Sequence, residues 1–151
     1  MLFKLQLKTG AGIEAAPEDV WPVLVDFRNY GAWNPFVLDV EGEPVPGGVQ
    51  RMRLRLPHGR PAGLTMRINR FDPPRLIGWR GRLGVPFLLD VRHEAELEAL
   101  RGGGTHLVHT TDVRGFLVPL LRGVLRQGEQ GLKDMSLALA NQVEAEAVSR
   151  T

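Results

Sequence analysis

The chain has 151 residues, enough for one domain with a substantial core and no need of covalent staples. It holds no cysteine, which excludes disulfides, thiolate metal sites and thiol nucleophiles, and no apolar run approaches the ~20 residues that span a bilayer. A net charge of +2 gives little electrostatic reason to expect a nucleic-acid partner.

From the N-terminus, Phe3, Leu5, Leu7, Thr9, Ala11 and Ile13 alternate with Lys4, Gln6 and Lys8. That period of two predicts a half-buried strand and not the unbroken apolar core of a signal peptide, so a cytoplasmic location is expected. Ala16-Pro17-Glu18-Asp19 predicts a helix start, with proline in the first turn and acids at the positive end of the dipole. The helix carries Val20, Trp21, Leu24 and Val25 inward and ends near Asp26-Phe27, and a second short turn holds Tyr30 and Trp33 before Asn34-Pro35. Strands are then predicted over Phe36–Val40, Val49–Leu56, Ala62–Ile68, Arg75–Arg82, Phe87–Ala99 and Thr105–Val113. Their breaks are Pro44–Gly48, Pro57–Pro61, Asp72-Pro73-Pro74, Gly84-Val85-Pro86 and the hairpin Arg101–Gly104. Residues 116–147 carry Leu117, Leu121, Val124, Gly128, Leu132, Met135, Leu139 and Val143 at steps of three or four, the stripe of one long helix.

All strand-to-strand connections are short, so the sheet is antiparallel. The expected fold is α+β: a curved antiparallel sheet of about six or seven strands, two short helices after the first strand, and a long C-terminal helix that can bury its stripe only against the sheet. Residues 1–151 read as a single domain. Gly123, Gly128 and Gly131 cost that helix about 1 kcal/mol each relative to alanine. Gly128, on the stripe, either opens space between helix and sheet or permits close contact.

Val20-Trp21, Asp26 and Tyr30-Gly31-Ala32-Trp33-Asn34-Pro35-Phe36 resemble the helix–turn signature of the START-like (SRPBCC) superfamily, in its polyketide cyclase/dehydrase-like subgroup. Asp72-Pro73-Pro74-Arg75-Leu76, Trp79, His93, Leu97, Gly104-Thr105, Leu107-Val108-His109 and Gly115–Leu121 follow in matching order, so the resemblance covers nearly the whole chain. It implies the helix-grip, birch-pollen-allergen-like fold with a hydrophobic tunnel between helix and sheet. It implies less about activity, since relatives include lipid carriers, hormone receptors, aromatic cyclases and chaperone-regulating domains. One departure matters: where relatives often carry Glu two positions after the histidine of this strand, the chain has Thr111, so any acid–base role of that Glu is absent.

The residues expected on the tunnel wall are Trp33 and Phe36 near the second helical turn, Met52, Leu54, Met66 and Trp79 on the middle strands, and Leu89, Val91 and His93 on the sixth. His109 and Thr111 on the seventh, and Leu121, Val124, Gly128, Leu132 and Met135 on the helix, complete them. A tight hairpin at 101–104 makes facing positions sum to about 204, which sets His93 near Thr111 and His109 near Ala95, the two imidazoles diagonal to each other. Such a pair serves as a polar anchor for a ligand, as an acid–base couple near pH 7, or as core histidines satisfied by neighbours. His93 and His109 are therefore the candidate catalytic residues if the protein is an enzyme. His58 and His106 fall in a loop and on the outer face, so no metal site and no cofactor is expected. Arg51, Arg53, Arg55, Arg67, Arg80, Arg82 and Arg92 lie outward, either paired with Glu94, Glu96 and Glu98 or open to an anionic partner.

The leading functional expectation is binding of a small hydrophobic molecule such as a lipid, quinone or polyketide-like compound. The alternatives are a cyclase or dehydratase using the pocket histidines, and a protein-interaction domain using the arginine-bearing face.

Overall fold

The computed structural model describes residues 3–56, 60–83 and 87–150. Strand β1 (Phe3–Ile13) is followed by α1 (Pro17–Leu24), a 3-10 turn at Phe27–Asn29 and α2 (Tyr30–Trp33). Six strands come next: β2 (Val37–Glu41), β3 (Val49–Leu54), β4 (Ala62–Asp72), β5 (Leu76–Leu83), β6 (Leu89–Ala99) and β7 (Thr105–Gly115). Helix α3 (Val118–Ser149) closes the chain. The strands form one seven-stranded antiparallel sheet in the order β1-β7-β6-β5-β4-β3-β2. Each hairpin is the local solution for a short connection, and β1 joins β7 to complete the sheet.

The period-two pattern decides which face is buried. Leu5, Leu7 and Ile13 on β1, Met66 and Ile68 on β4, Ile77 and Trp79 on β5, and Ala95 and Leu97 on β6 are all buried under the helices. The hairpin at 101–104 turns on Gly102 and Gly103, whose φ of 99° and 101° suits glycine. It fixes the register, and His93 pairs with Thr111 and Ala95 with His109 as the sum rule expects.

Several boundaries differ from the sequence expectation, β4 running on to Asp72 and β2, β5 and β7 by one or two residues, and three differences are informative. α1 ends at Leu24, and a separate 3-10 turn takes up Phe27. β3 stops at Leu54. Phe87 is not a strand residue: it sits in a turn at φ 72° and is 65% exposed. An alternating apolar pattern carries no information about the left-handed conformation that a bulky residue adopts only at a cost, of order 1–3 kcal/mol. The expected breaks at 57–59 and 84–86, with His58, lie outside the described residues.

The Trp-Asn-Pro-Phe segment has a local physical reason. Asn34 Oδ1 accepts hydrogen bonds from the backbone N–H of Phe36 and of Val37, both at 2.9 Å, and so turns the chain after α2. The turn drives the Phe36 ring onto α3 at Gly131, where an added Cβ would lie 2.2 Å from the ring. Close approach thus occurs at Gly131, whereas a Cβ on Gly128 would meet nothing within 4 Å.

Burial along α3 follows the same division. Leu132, Met135, Leu139 and Val143 are buried against the sheet and α1. Leu121, Leu125 and Gly128 are only partly covered, and Val124 is 44% exposed. One amphipathic stripe therefore does two jobs: its C-terminal half seals the core, while nearer its start Val118 and Leu125 hold the helix on Leu5, Leu7 and Val113, and Leu121, Val124 and Gly128 stand off the sheet.

Candidate functional site

The stand-off encloses a cavity of about 680 Å³, within the range that holds drug-sized ligands. Its floor is the inner face of β3 to β7 and its roof is α3. Of the residues expected on the wall, Phe36, Met52, Leu54, Met66, Trp79, Leu89 and Val91 stand on it, as do His93, His109 and Thr111. Leu121, Val124, Gly128, Leu132 and Met135 form the helical side. Trp33 does not belong with them: it packs edge-on against Tyr30, and lines a separate surface groove with residues of α1 and the end of α3. Proximity in sequence to Phe36 was misleading because the Asn34 turn sends the two aromatic rings in different directions.

A polar line crosses this apolar wall. His93 Nδ1 lies 2.7 Å from Thr111 Oγ1, and His93 Nε2 lies 3.0 Å from His109 Nδ1. The two imidazoles lie end to end in planes 23° apart, with centroids 5.1 Å apart, and His93 also stacks on Trp79 at 5.8 Å. His109 is 2% exposed, while His93 is half-buried because part of its ring faces the cavity. Burial lowers the pKa of His93 to about 4. Burial, reinforced by the neighbouring His93, lowers that of His109 to about 3. Both rings are neutral at pH 7, so each carries one proton, and two arrangements satisfy the line. In one, the Thr111 hydroxyl donates to His93 Nδ1, His93 Nε2–H donates to His109, and His109 keeps its proton on Nε2. In the other every donor and acceptor is reversed. The tautomer of the pair therefore decides whether the Thr111 hydroxyl has a lone pair or a proton to offer into the cavity. His109 Nε2 is buried with no partner, and Thr9, its cross-strand neighbour, likewise has an unpartnered buried hydroxyl.

Two other polar groups on or near the wall are committed to the scaffold. The Tyr30 hydroxyl donates to the carbonyl of Leu24, and burial together with Asp26 pushes its pKa well up, so it stays protonated. Gln50, fully buried, accepts from Trp79 Nε1 and donates through Nε2 to the carbonyl of Glu43 at 2.7 Å. The sequence pattern does not single out Gln50, although its parity with Met52 and Leu54 puts it on their face of the strand. It holds the indole that stacks on His93.

The outer arginines pair differently from the expectation. Arg53 meets Asp39, Arg80 meets Asp90, and Arg70 meets Glu94, while Glu98 faces His106. Arg82 is among the residues that border the cavity. Among the described residues no group of three or more His, Asp or Glu side chains could hold a metal ion.

A curved antiparallel sheet gripping a long helix around an apolar cavity defines the helix-grip class of proteins. The sequence matches the polyketide cyclase/dehydrase and lipid transport family over residues 6–141, and the chain belongs to that family. Among solved structures it is similar to the ZhuI aromatase/cyclase from Streptomyces sp. R1128, with a TM-score of 0.76, 22% identity, and 96% of each chain covered. It is also similar to norcoclaurine synthase from Thalictrum flavum, with a TM-score of 0.75, 12% identity, and 97% and 98% coverage of this chain and that one. An uncharacterised Rhizobium leguminosarum protein gives a TM-score of 0.65 at 20% identity, with 93% and 97% coverage. At these identities the structures share a fold. No curated protein matches the sequence.

Proposed function

We propose that the protein binds a small hydrophobic molecule in the cytoplasm, a flat, largely apolar compound with one hydroxyl or carbonyl group. Lipid-, quinone- and polyketide-like compounds are the classes that fit. The observation that carries this reading is the Thr111–His93–His109 line set into an otherwise apolar cavity of about 680 Å³. The apolar wall supplies affinity through burial, the Trp79–His93 stack favours a planar ring, and the Thr111 hydroxyl fixes orientation by donating or accepting as the tautomer allows.

Calorimetric titration with 2-naphthol and naphthalene tests the anchor. The hydroxylated probe binds about 3- to 10-fold more tightly, the worth of one net hydrogen bond, and Thr111→Val removes the difference while naphthalene affinity holds. Equal affinities in the wild-type protein contradict the reading.

The second reading is a cyclase or dehydratase in which His93 or His109 moves a proton. The unpartnered His109 Nε2 favours it. The depressed pKa values weigh against it, because a general base with a pKa of about 3 or 4 is weak at pH 7. Any turnover that survives His93→Ala with His109→Ala eliminates this route. A third reading, docking of a protein on the arginine-bearing sheet face, predicts salt-sensitive capture that Arg51→Glu, Arg53→Glu and Arg55→Glu abolish.

A further inference from the structure

One end of the sheet carries an apolar tip that the fold leaves uncovered. Phe3 opens β1 opposite Gly115, the last residue of β7. Phe116 follows Gly115, and its N–H donates to the carbonyl of Phe87 at 3.0 Å. Leu120 lies in the first turn of α3. Three separate segments thus place four large apolar side chains at this end of the sheet, and they are exposed by 43% (Phe3), 65% (Phe87), 55% (Phe116) and 79% (Leu120). Contiguous apolar surface of this kind marks an interaction site more often than scattered single residues do. Phe87 holds its exposed position from a left-handed backbone that would suit glycine better.

Cations collar the tip. One residue in from the strand ends, the cross-strand row on the outer face reads Lys4, Arg114, Asp90, Arg82. Its single acid already pairs with Arg80 at 2.9 Å. Arg122 adds a charge near the start of α3, about 200° round the helix from Leu120, and from Val113 to Gly128 the sequence contains no acid at all. Among the described residues Arg114 and Arg122 have no carboxylate partner within ion-pair distance.

The tip is also continuous with the cavity. Leu121 and Val124, beside and one turn beyond Leu120, stand on the cavity wall, as does Leu89, two residues after Phe87. Arg82 borders the cavity at this end of β5.

We infer that this end of the molecule docks on an anionic lipid bilayer, with Phe87, Phe116 and Leu120 in the headgroup boundary and Lys4, Arg114 and Arg122 against the lipid phosphates. Aromatic side chains suit that boundary, and basic residues around an apolar insertion supply the attraction to anionic lipid. The continuity favours a bilayer over a protein: an apolar molecule leaving the acyl layer reaches Val124 and Leu121 without crossing water. That last step rests on the ligand-binding reading above; the docking surface does not.

Co-sedimentation of the full chain with vesicles, without added ligand, tests the inference. Vesicles of phosphatidylcholine and phosphatidylglycerol retain the protein, vesicles of phosphatidylcholine alone retain at least about tenfold less, and high salt releases it. Phe116→Ser with Leu120→Ser, and separately Arg114→Glu with Arg122→Glu, each lower retention by at least about tenfold. Both variants keep the wild-type melting temperature and 2-naphthol affinity, since none of the four side chains lines the cavity. Absence of retention on anionic vesicles, or equal retention on neutral ones, overturns the inference. A solution dimer dissolved by the Phe116/Leu120 variant also overturns it, by assigning the tip to a second copy. Retention with no naphthol binding upholds the surface and refutes the cavity reading alone.

Discussion

At the residue scale the decisive feature is a pair of histidines kept neutral by burial. The sign of the resulting pH dependence follows from the direction of the shifts. His93 and His109 titrate at about 4 and about 3 in the folded protein, against about 6.5 in an unfolded chain. Below pH ~6.5 the unfolded chain binds protons that the folded one refuses, so stability is fully present above that value and falls as the pH drops towards 4. The loss is on the order of 1 kcal/mol per pH unit per ring. Calorimetric melting between pH 7 and 4.5 checks it: the wild-type melting temperature falls steeply, and replacing both histidines with glutamine flattens the slope. A wild-type slope matching that of the double variant would mean that the rings do not remain neutral inside. The histidine pairing itself was legible, because a tight glycine hairpin fixes register and register fixes which side chains face each other. The partnering of Gln50 with Trp79 was not, because a buried glutamine is recognised only through the donor it meets across the sheet.

At the scale of elements, α3 is one helix with two environments, and its glycines report them. Gly131→Ala forces a Cβ to within 2.2 Å of the Phe36 ring. A contact that short puts the cost at the upper end of the range for overpacking, about 2–3 kcal/mol, more than the roughly 1 kcal/mol of helix propensity gained. The variant is therefore less stable by about 1–2 kcal/mol, as measured by urea unfolding. Gly128→Ala meets nothing within 4 Å and gains most of the propensity term, about 0.5–1 kcal/mol. Opposite signs at two glycines three residues apart are the signature of a helix that meets the Phe36 ring at one point and faces open space at the other. The stripe and its period could be read from the chain. Which glycine meets a ring could not, because that depends on the Asn34 turn that delivers Phe36. For the same reason the sequence pattern does not separate Trp33 from the cavity wall or Phe87 from β6: turns redirect side chains in ways that periodicity does not encode.

At the scale of the whole molecule, the sheet, the helix and the residues that cross between them enclose a volume that the chain does not fill. That the fold leaves such a space followed from the order of elements and the family resemblance. Its size, and the exposed tip beside its mouth, are properties of packing that no single segment carries. The central claim is that this space takes up an apolar ligand, and a saturation titration with the fluorescent probe 1-anilinonaphthalene-8-sulfonate tests it most directly in wild type and Gly128→Phe. A Cβ at 128 meets nothing within 4 Å on a residue that borders the cavity, which leaves a phenylalanine there room to fill that space. The account predicts saturable one-site binding to the wild-type protein, lost in Gly128→Phe while the melting temperature is maintained. Probe binding that does not saturate, or that is undiminished in Gly128→Phe, would contradict it.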